Sequence, residues 1–218
     1  MIKAVVFDFD DTLVRTFDSC IGAMRQVSER LGLHVPDRPT IVRNWGKSVR
    51  DCMSALWPGE DIDQLNEVRL SFQPSIPFSP VTGAHETIDL MSKRYVLGIV
   101  SGEQREALVR KAVQAKIDLK KFDFVITASD TGVPKTDPRY FDLARQRLER
   151  LGVGIGEVLF VGDSIHDYRV SRSAGVHFAG VLTGPATRED LVASGMNDRM
   201  IIPSVTDLPR FIRANGFT

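Results

Sequence analysis

The chain has 218 residues, 28 basic and 28 acidic, for a formal net charge of zero; 43% are hydrophobic and 26% charged. That composition excludes a disordered or collagen-like chain, and the balanced charge leaves no electrostatic footprint for nucleic acid or an anionic membrane. No apolar run approaches the ~20 residues that span a bilayer. The apolar start is broken by acids within ten residues, unlike a signal peptide. Cys20 and Cys52 read as ordinary buried thiols of a reducing compartment, so the expectation is a soluble, cytoplasmic protein.

In chain order, short apolar, β-branched runs predict buried parallel strands at Lys3–Phe7, Tyr95–Val100, Phe124–Thr127, Val158–Val161 and Phe178–Leu182, with a shorter sixth at Met200–Ile202. Between the first two strands the rhythm breaks. The stretch from Arg15 to Pro80 shows no strand pattern and reads as helices: Phe17–Leu31, with Phe17, Ile21, Met24, Val27 and Leu31 on one stripe, then Val49–Leu56 and Ile62–Phe72. It closes in a proline-dense connector, Pro74, Pro77 and Pro80. Farther on, Arg105–Lys116 places Leu108, Ala112, Val113 and Ala115 on one side. Pro138–Leu151 places Phe141, Ala144, Leu148 and Leu151 at helical spacing, with Asp137 as N-cap before a proline at the first helical position. Alternating strands and helices predict an α/β fold, a doubly wound parallel sheet, with a helical insert after its first strand.

Ligands of such sheets bind beyond the carboxyl ends of the strands. The first strand is followed by Asp8-Phe9-Asp10-Asp11-Thr12, the second by Ser101-Gly102, the third by a loop to Lys135, and the Val158 strand by Gly162-Asp163-Ser164 with Asp167 four residues past Asp163. Carboxylates gathered at one edge repel: two unit charges ~4 Å apart cost on the order of 4 kcal/mol at an effective dielectric near 20. Binding a cation relieves this, and all-oxygen donors without His or Cys favour Mg²⁺ over zinc. One aspartate is then free to attack phosphorus, while Ser101 and Lys135 hold the other phosphate oxygens. Each residue alone has a plainer reading: a turn or helix cap for the acids, a solvated lysine for Lys135, a surface acid for Asp167. Their joint occurrence, each after its own strand, favours chemistry. Cys20, Cys52, His34, His85 and His177 show no partner spacing and read as structural, His166 as a surface residue, and Trp45 and Trp57 as packing residues of the insert.

These segments resemble the haloacid dehalogenase-like hydrolase superfamily over nearly the whole chain. Asp8–Leu13 looks like its DxDxT motif, Ser101 like its second, Lys135-Thr136-Asp137-Pro138 with Phe141 like its third, and Gly162-Asp163-Ser164-x-x-Asp167 with Ala174-Gly175 like its fourth. The insert resembles the type 1 cap of the phosphoglycolate phosphatase-like and β-phosphoglucomutase-like branch, and Val181–Gly184 with Arg188–Leu191 resembles the phosphoglycolate phosphatase-like tail. The resemblance implies a core of residues 1–14 and 81–218 and a cap of residues 15–80. Two departures stand out: Asp11 occupies a position often held by glycine, placing extra charge near the metal, and Thr136 replaces a proline, loosening the loop before Asp137.

Carried over by resemblance, Asp8 is the nucleophile and Asp10 the general acid and base. The Asp8 carboxylate, the Asp10 carbonyl and Asp163 hold Mg²⁺, and Asp167 orients the metal shell. Ser101, Gly102 and Lys135 bind phosphate. Lys47 and Arg50, in Gly46-Lys47-Ser48-x-Arg50, resemble the cap stretch that reaches down to substrate. The implied activity is a Mg²⁺-dependent phosphatase acting on a small phosphorylated metabolite, phosphoglycolate-like or a sugar phosphate, through an aspartyl phosphate. A phosphomutase of the β-phosphoglucomutase type is the alternative within enzymes. A non-turnover phospho-accepting or binding module is the alternative of another class; its acceptor lies on a middle strand, whereas the acidic pair here follows the first.

Overall fold

The computed structural model describes residues 1–45, 47, 49–72 and 75–217. Gly46 and Ser48 of the cap stretch and Pro74 of the connector lie outside the described residues. Six parallel strands form one sheet: β1 (Ala4–Phe7), β4 (Val96–Val100), β5 (Phe124–Ile126), β6 (Val158–Gly162), β7 (His177–Val181) and β8 (Ile201–Ile202). Their order is β5-β4-β1-β6-β7-β8. Strand β1 thus lies between β4 and β6, in register Val5 to Leu97 and to Leu159.

The apolar runs are continuous because both sheet faces are covered. Successive side chains of a strand point to opposite faces. Val5 and Phe7, Leu97 and Ile99, and Leu159 and Val161 enter one core cluster. Ala4, Val6, Val100, Val158 and Phe160 enter the other. The doubly wound parallel sheet expected from the sequence is therefore present.

The insert carries α1 (Phe17–Leu31), α2 (Arg38–Asn44), α3 (Val49–Leu56) and α4 (Ile62–Phe72). It has its own apolar cluster, with Phe17, Val27, Met53, Leu56, Trp57 and Leu65 buried. Helix α1 ends at Gly32 in the left-handed region (φ 66°), the conformation glycine adopts without Cβ strain. Helix α2, begun by the Asp37 side chain accepting from the Thr40 N–H, was not expected. Nor was a two-residue antiparallel ribbon, β2 (Val14–Arg15) with β3 (Ser79–Pro80), which joins the two ends of the insert. Two residues are too few to show an alternating pattern.

The remaining helices cover the sheet: α5 (Ala84–Met91), α6 (Arg105–Gln114), α7 (Ala128–Thr131), α8 (Asp142–Arg150), α9 (Ile165–Ala174), α10 (Arg188–Ala193) and α11 (Leu208–Ala214). Asp137 caps as expected, accepting from the Arg139 N–H, but Pro138–Phe141 is a 3₁₀ turn that precedes α8. Two stripe assignments need correction. Val113 is 72% exposed and Leu151 45% exposed, whereas Lys111 is buried on α6. Rotating α6 to bury Lys111 turns Val113 outward, and Leu151 falls beyond the end of α8.

Candidate active site

The side chains singled out in the sequence converge where the chain leaves β1 for both neighbours, the switch point at which ligands of doubly wound sheets bind. Asp8 continues β1, its N–H donating to the Val161 carbonyl at 2.8 Å. Ser101 ends β4 and its N–H donates to the Ile126 carbonyl at 3.0 Å. Asp163 follows β6. Asp167 lies in the first turn of α9, where Ser164 Oγ accepts from the Asp167 N–H and the Asp167 carboxylate accepts from the Ser164 N–H at 3.0 Å. This capping box leaves Asp167 fully buried. It is not the surface acid that its sequence position alone permits.

Asp8, Asp163 and Asp167 each offer a carboxylate oxygen within 4.8 Å of the others. Lys135 Nζ donates to Asp8 Oδ1 and lies 2.6 Å from Asp167 Oδ1. Burial opposes the lysine's charge, but Asp167 and Asp8 outweigh it and hold its pKa above the ordinary value. The one ammonium does not neutralise three acids. Burial, opposed by Lys135 and reinforced by Asp167 and Asp10, raises the Asp8 carboxyl to about 8. Burial and the charges of Asp11, Asp167 and Asp8 raise Asp163 well above its usual range.

Asp163 Oδ2 is buried without a hydrogen-bond donor. A divalent cation fits such a donor set: hard carboxylate oxygens, excess negative charge and an unpartnered buried acceptor. Gly184 permits the arrangement, since a Cβ there would stand 1.8 Å from Asp163 Oδ2. The adjacent Thr183 Oγ1 donates to the Asp11 carbonyl at 2.6 Å.

The Asp10 carboxylate turns away from this cluster. Lys111 Nζ lies 2.6 Å from Asp10 Oδ1 and 2.6 Å from Glu103 Oε2. Burial raises the Asp10 pKa, Lys111 opposes it, and the Glu103 charge adds to the rise. Sequence reasoning did not single out Lys111 or Glu103. The available signal was a lysine on the apolar side of α6 beside Ala112, where a long aliphatic stem packs as well as a hydrophobic residue. Tyr140 was also missed; its hydroxyl donates to the Ser101 carbonyl at 2.6 Å.

Asp11 adds its charge beside Asp163, as expected, and has a second role. It sits at φ 57°, which accounts for glycine being common at that position in the resemblance. Its carboxylate accepts from the Thr16 N–H at 2.8 Å, the Phe17 N–H at 3.0 Å and the Thr16 hydroxyl at 3.0 Å. A core residue thus caps α1 of the insert.

An inner cavity of about 180 Å³ lies over Asp8, Asp10 and Asp163, bounded on the far side by cap residues such as Met24, Trp45 and Met53. Cys20, read as structural, is also in its wall. An outer cavity of about 430 Å³ shares Lys47, Gly102, Glu103 and Lys135 with it. Lys47 therefore borders both cavities, its Nζ donating to Asn44 Oδ1 at 2.8 Å. Arg50 borders the outer one alone and pairs with Asp63 at 2.7 Å. Trp57 is buried in the cap and donates from Nε1 to the His34 carbonyl, while Trp45 packs edge-on against Phe17. His166 is half-buried, which lowers its pKa.

A parallel sheet with an acid cluster, a lysine and a hydroxyl at its switch point, roofed by a helical insert, defines a hydrolase of the haloacid dehalogenase-like class. Residues 5–181 match the haloacid dehalogenase-like hydrolase family, and the chain belongs to it. It is an enzyme, a hydrolase of that family, and relatives that it matches are named as phosphatases. Pyrophosphatase PpaX of Bacillus velezensis is 28% identical over 215 residues, covering 94% of this chain and 97% of that one. Phosphoglycolate phosphatase of Thiobacillus denitrificans is 29% identical over 225 residues, covering 94% and 93%. In fold, a haloacid dehalogenase-like family hydrolase from Streptococcus pneumoniae superimposes with a TM-score of 0.80 at 18% identity, covering 97% of this chain and 98% of that one. Among the described residues, no helix is long and apolar enough to cross a membrane.

Proposed function

We propose that the protein hydrolyses a small phosphomonoester in a Mg²⁺-dependent reaction that passes through an aspartyl phosphate on Asp8. The observation that carries this reading is the buried trio Asp8, Asp163 and Asp167, with Asp163 Oδ2 unpartnered and Lys135 bridging two of its members. Asp8, the Asp10 carbonyl and Asp163 would hold Mg²⁺, with Asp167 orienting that shell. When bound, the cation offsets repulsion between the carboxylate nucleophile and the phosphate.

The Asp8 carboxylate attacks phosphorus while Lys135, Ser101 and the backbone at Gly102 hold the transferring oxygens. Asp10, raised by burial and restrained by Lys111, is poised to give a proton to the leaving oxygen and then take one from the attacking water. Lys47 and Arg50, beside the cavities, face the rest of the substrate. The two free thiols fit a reducing, cytoplasmic setting.

The test is hydrolysis of para-nitrophenyl phosphate. Chelation should abolish turnover, Mg²⁺ should restore it, and Asp163→Asn should raise the Mg²⁺ concentration required. Full activity in excess chelator counts against the proposal. Product analysis with the native ester separates hydrolysis from return of the phosphoryl group to the substrate.

A further inference from the structure

Two arginines at the seam between cap and core have no part in the chemistry above. Arg69 projects from α4 of the cap and Arg110 from α6 of the core, one position before Lys111. Both border the inner cavity over Asp8 and the outer cavity that adjoins it. Both are half-buried. Arg69 is pinned by its own helix, its Nε and Nη2 donating to Asn66 Oδ1 at 3.2 and 2.9 Å. The Nε of Arg110 is buried and has no hydrogen-bond partner.

Among the described residues, neither arginine forms an ion pair. Glu103, whose charge acts on Arg69, is already held by Lys111 at 2.6 Å. The seam therefore carries two guanidiniums and the Lys47 ammonium beside a second ammonium, Lys111, that is taken up by two carboxylates. Burial and the like charge of Arg110 work against the charge on Arg69, with Glu103 opposing them. Like charges sharing a low-dielectric wall repel unless an anion lies between them. A guanidinium fork matches carboxylate and phosphate oxygens two at a time, and a fork already pinned loses less freedom on binding. Met24, Met53 and Phe78 leave much of the inner wall apolar, and its other cations are Lys47 and the acid-held Lys111 and Lys135.

We infer that Arg69 and Arg110 receive a second anionic group carried on the leaving side of the substrate, so that the substrate class is a small phosphate ester or anhydride charged at both ends. The second group is a carboxylate or a phosphate. The inference rests on the phosphatase reading for the position of the first phosphate, over Asp8.

Calorimetric titration with three unreactive phosphonates, in the presence of Mg²⁺, tests it without turnover. Phosphonoacetate carries a carboxylate as its second anionic group, methylenediphosphonate a second phosphonate, and propylphosphonate neither. The expected result is that at least one doubly charged ligand binds the wild type about tenfold or more tightly than propylphosphonate. Which one does so distinguishes a carboxylate from a phosphate. In Arg110→Gln and Arg69→Gln, on proteins whose melting curves match wild type, that preference should fall to within about threefold of unity; should either variant melt early, Arg69→Lys or Arg110→Lys, which keeps the charge and loses the fork, should give an intermediate preference. No preference in the wild type, no binding of either doubly charged ligand, or a preference unchanged in the variants overturns the inference. Para-nitrophenyl phosphate turnover by the wild type is read alongside. Turnover without a preference leaves the phosphatase reading standing and removes this one; a preference without turnover removes the phosphatase reading and, with it, the leaving-side assignment, leaving the two arginines as an anion site alone.

Discussion

Core and cap place their functional side chains by different means. In the core, each reactive group is fixed by backbone: Asp8 by the end of β1, Ser101 by the end of β4, Asp163 by the end of β6, and Asp167 by the capping box that opens α9. In the cap, Lys47, Arg50 and Arg69 reach the cavities on long side chains held by other cap side chains, Asn44, Asp63 and Asn66, on a region packed around a small apolar cluster of its own. On the proposed reading, the core fixes which bond breaks, and the cap, with Arg110 of the core, chooses which molecule carries it. Asp11 links the two, as a core residue whose carboxylate caps the first cap helix.

Substitutions in the two regions should have different consequences. The largest effect belongs to the core: Asp8→Asn keeps the shape but removes the attacking charge, and turnover of every substrate should fall at least ~10³-fold, about 4 kcal/mol of barrier. Steady-state assays on two unrelated phosphate esters check it, and near-normal activity on either contradicts the nucleophile assignment. Gly184→Val comes next. Its branched side chain cannot share space with Asp163 Oδ2, so it should destabilise the fold by about 1–3 kcal/mol and raise the Mg²⁺ requirement, both read by melting and metal titration. Asp11→Ala removes the joint between the two regions and should cost about 0.5–2 kcal/mol in urea unfolding, the usual range for a lost N-cap.

The smallest effect on stability belongs to the cap surface. Arg50→Ala breaks an exposed pair and should change stability by no more than ~1 kcal/mol. Arg50→Ala and Lys47→Ala should instead weaken turnover of the native substrate far more than that of para-nitrophenyl phosphate, as a kcat/KM comparison shows. Equal losses on both substrates would move these two residues from recognition to stability.

The same contrast governs what the sequence reveals. Buried parallel strands are continuous apolar runs, so β1, β4 and β6 are legible, and with them the residues just past their ends. Helical periodicity is less exact. It marks α6 but not its rotation, and so places Val113 inward and passes over Lys111, whose burial depends on Asp10 and Glu103 arriving from elsewhere in the chain. Asp11 reads as one more acid because capping a helix that starts six residues later leaves no spacing signature. Gly184 is visible as part of a motif, but its need to be glycine comes from Asp163, 21 positions earlier. Arg69 and Arg110 are unremarkable in sequence, and only the meeting of cap and core puts them in one wall.

Hydrolysis by the proposed route passes through a covalent phosphate on Asp8, and that phosphate can be trapped. Enzyme turning over para-nitrophenyl phosphate with Mg²⁺ is quenched in acid within milliseconds and treated with borohydride, which reduces an acyl phosphate, but not a free carboxylate, to the alcohol. Mass spectrometry of the N-terminal peptide should find homoserine at position 8, absent without substrate and absent in Asp8→Asn. An unmodified Asp8 in enzyme quenched during rapid turnover under the same conditions, or reduction at another carboxylate in its place, contradicts the account.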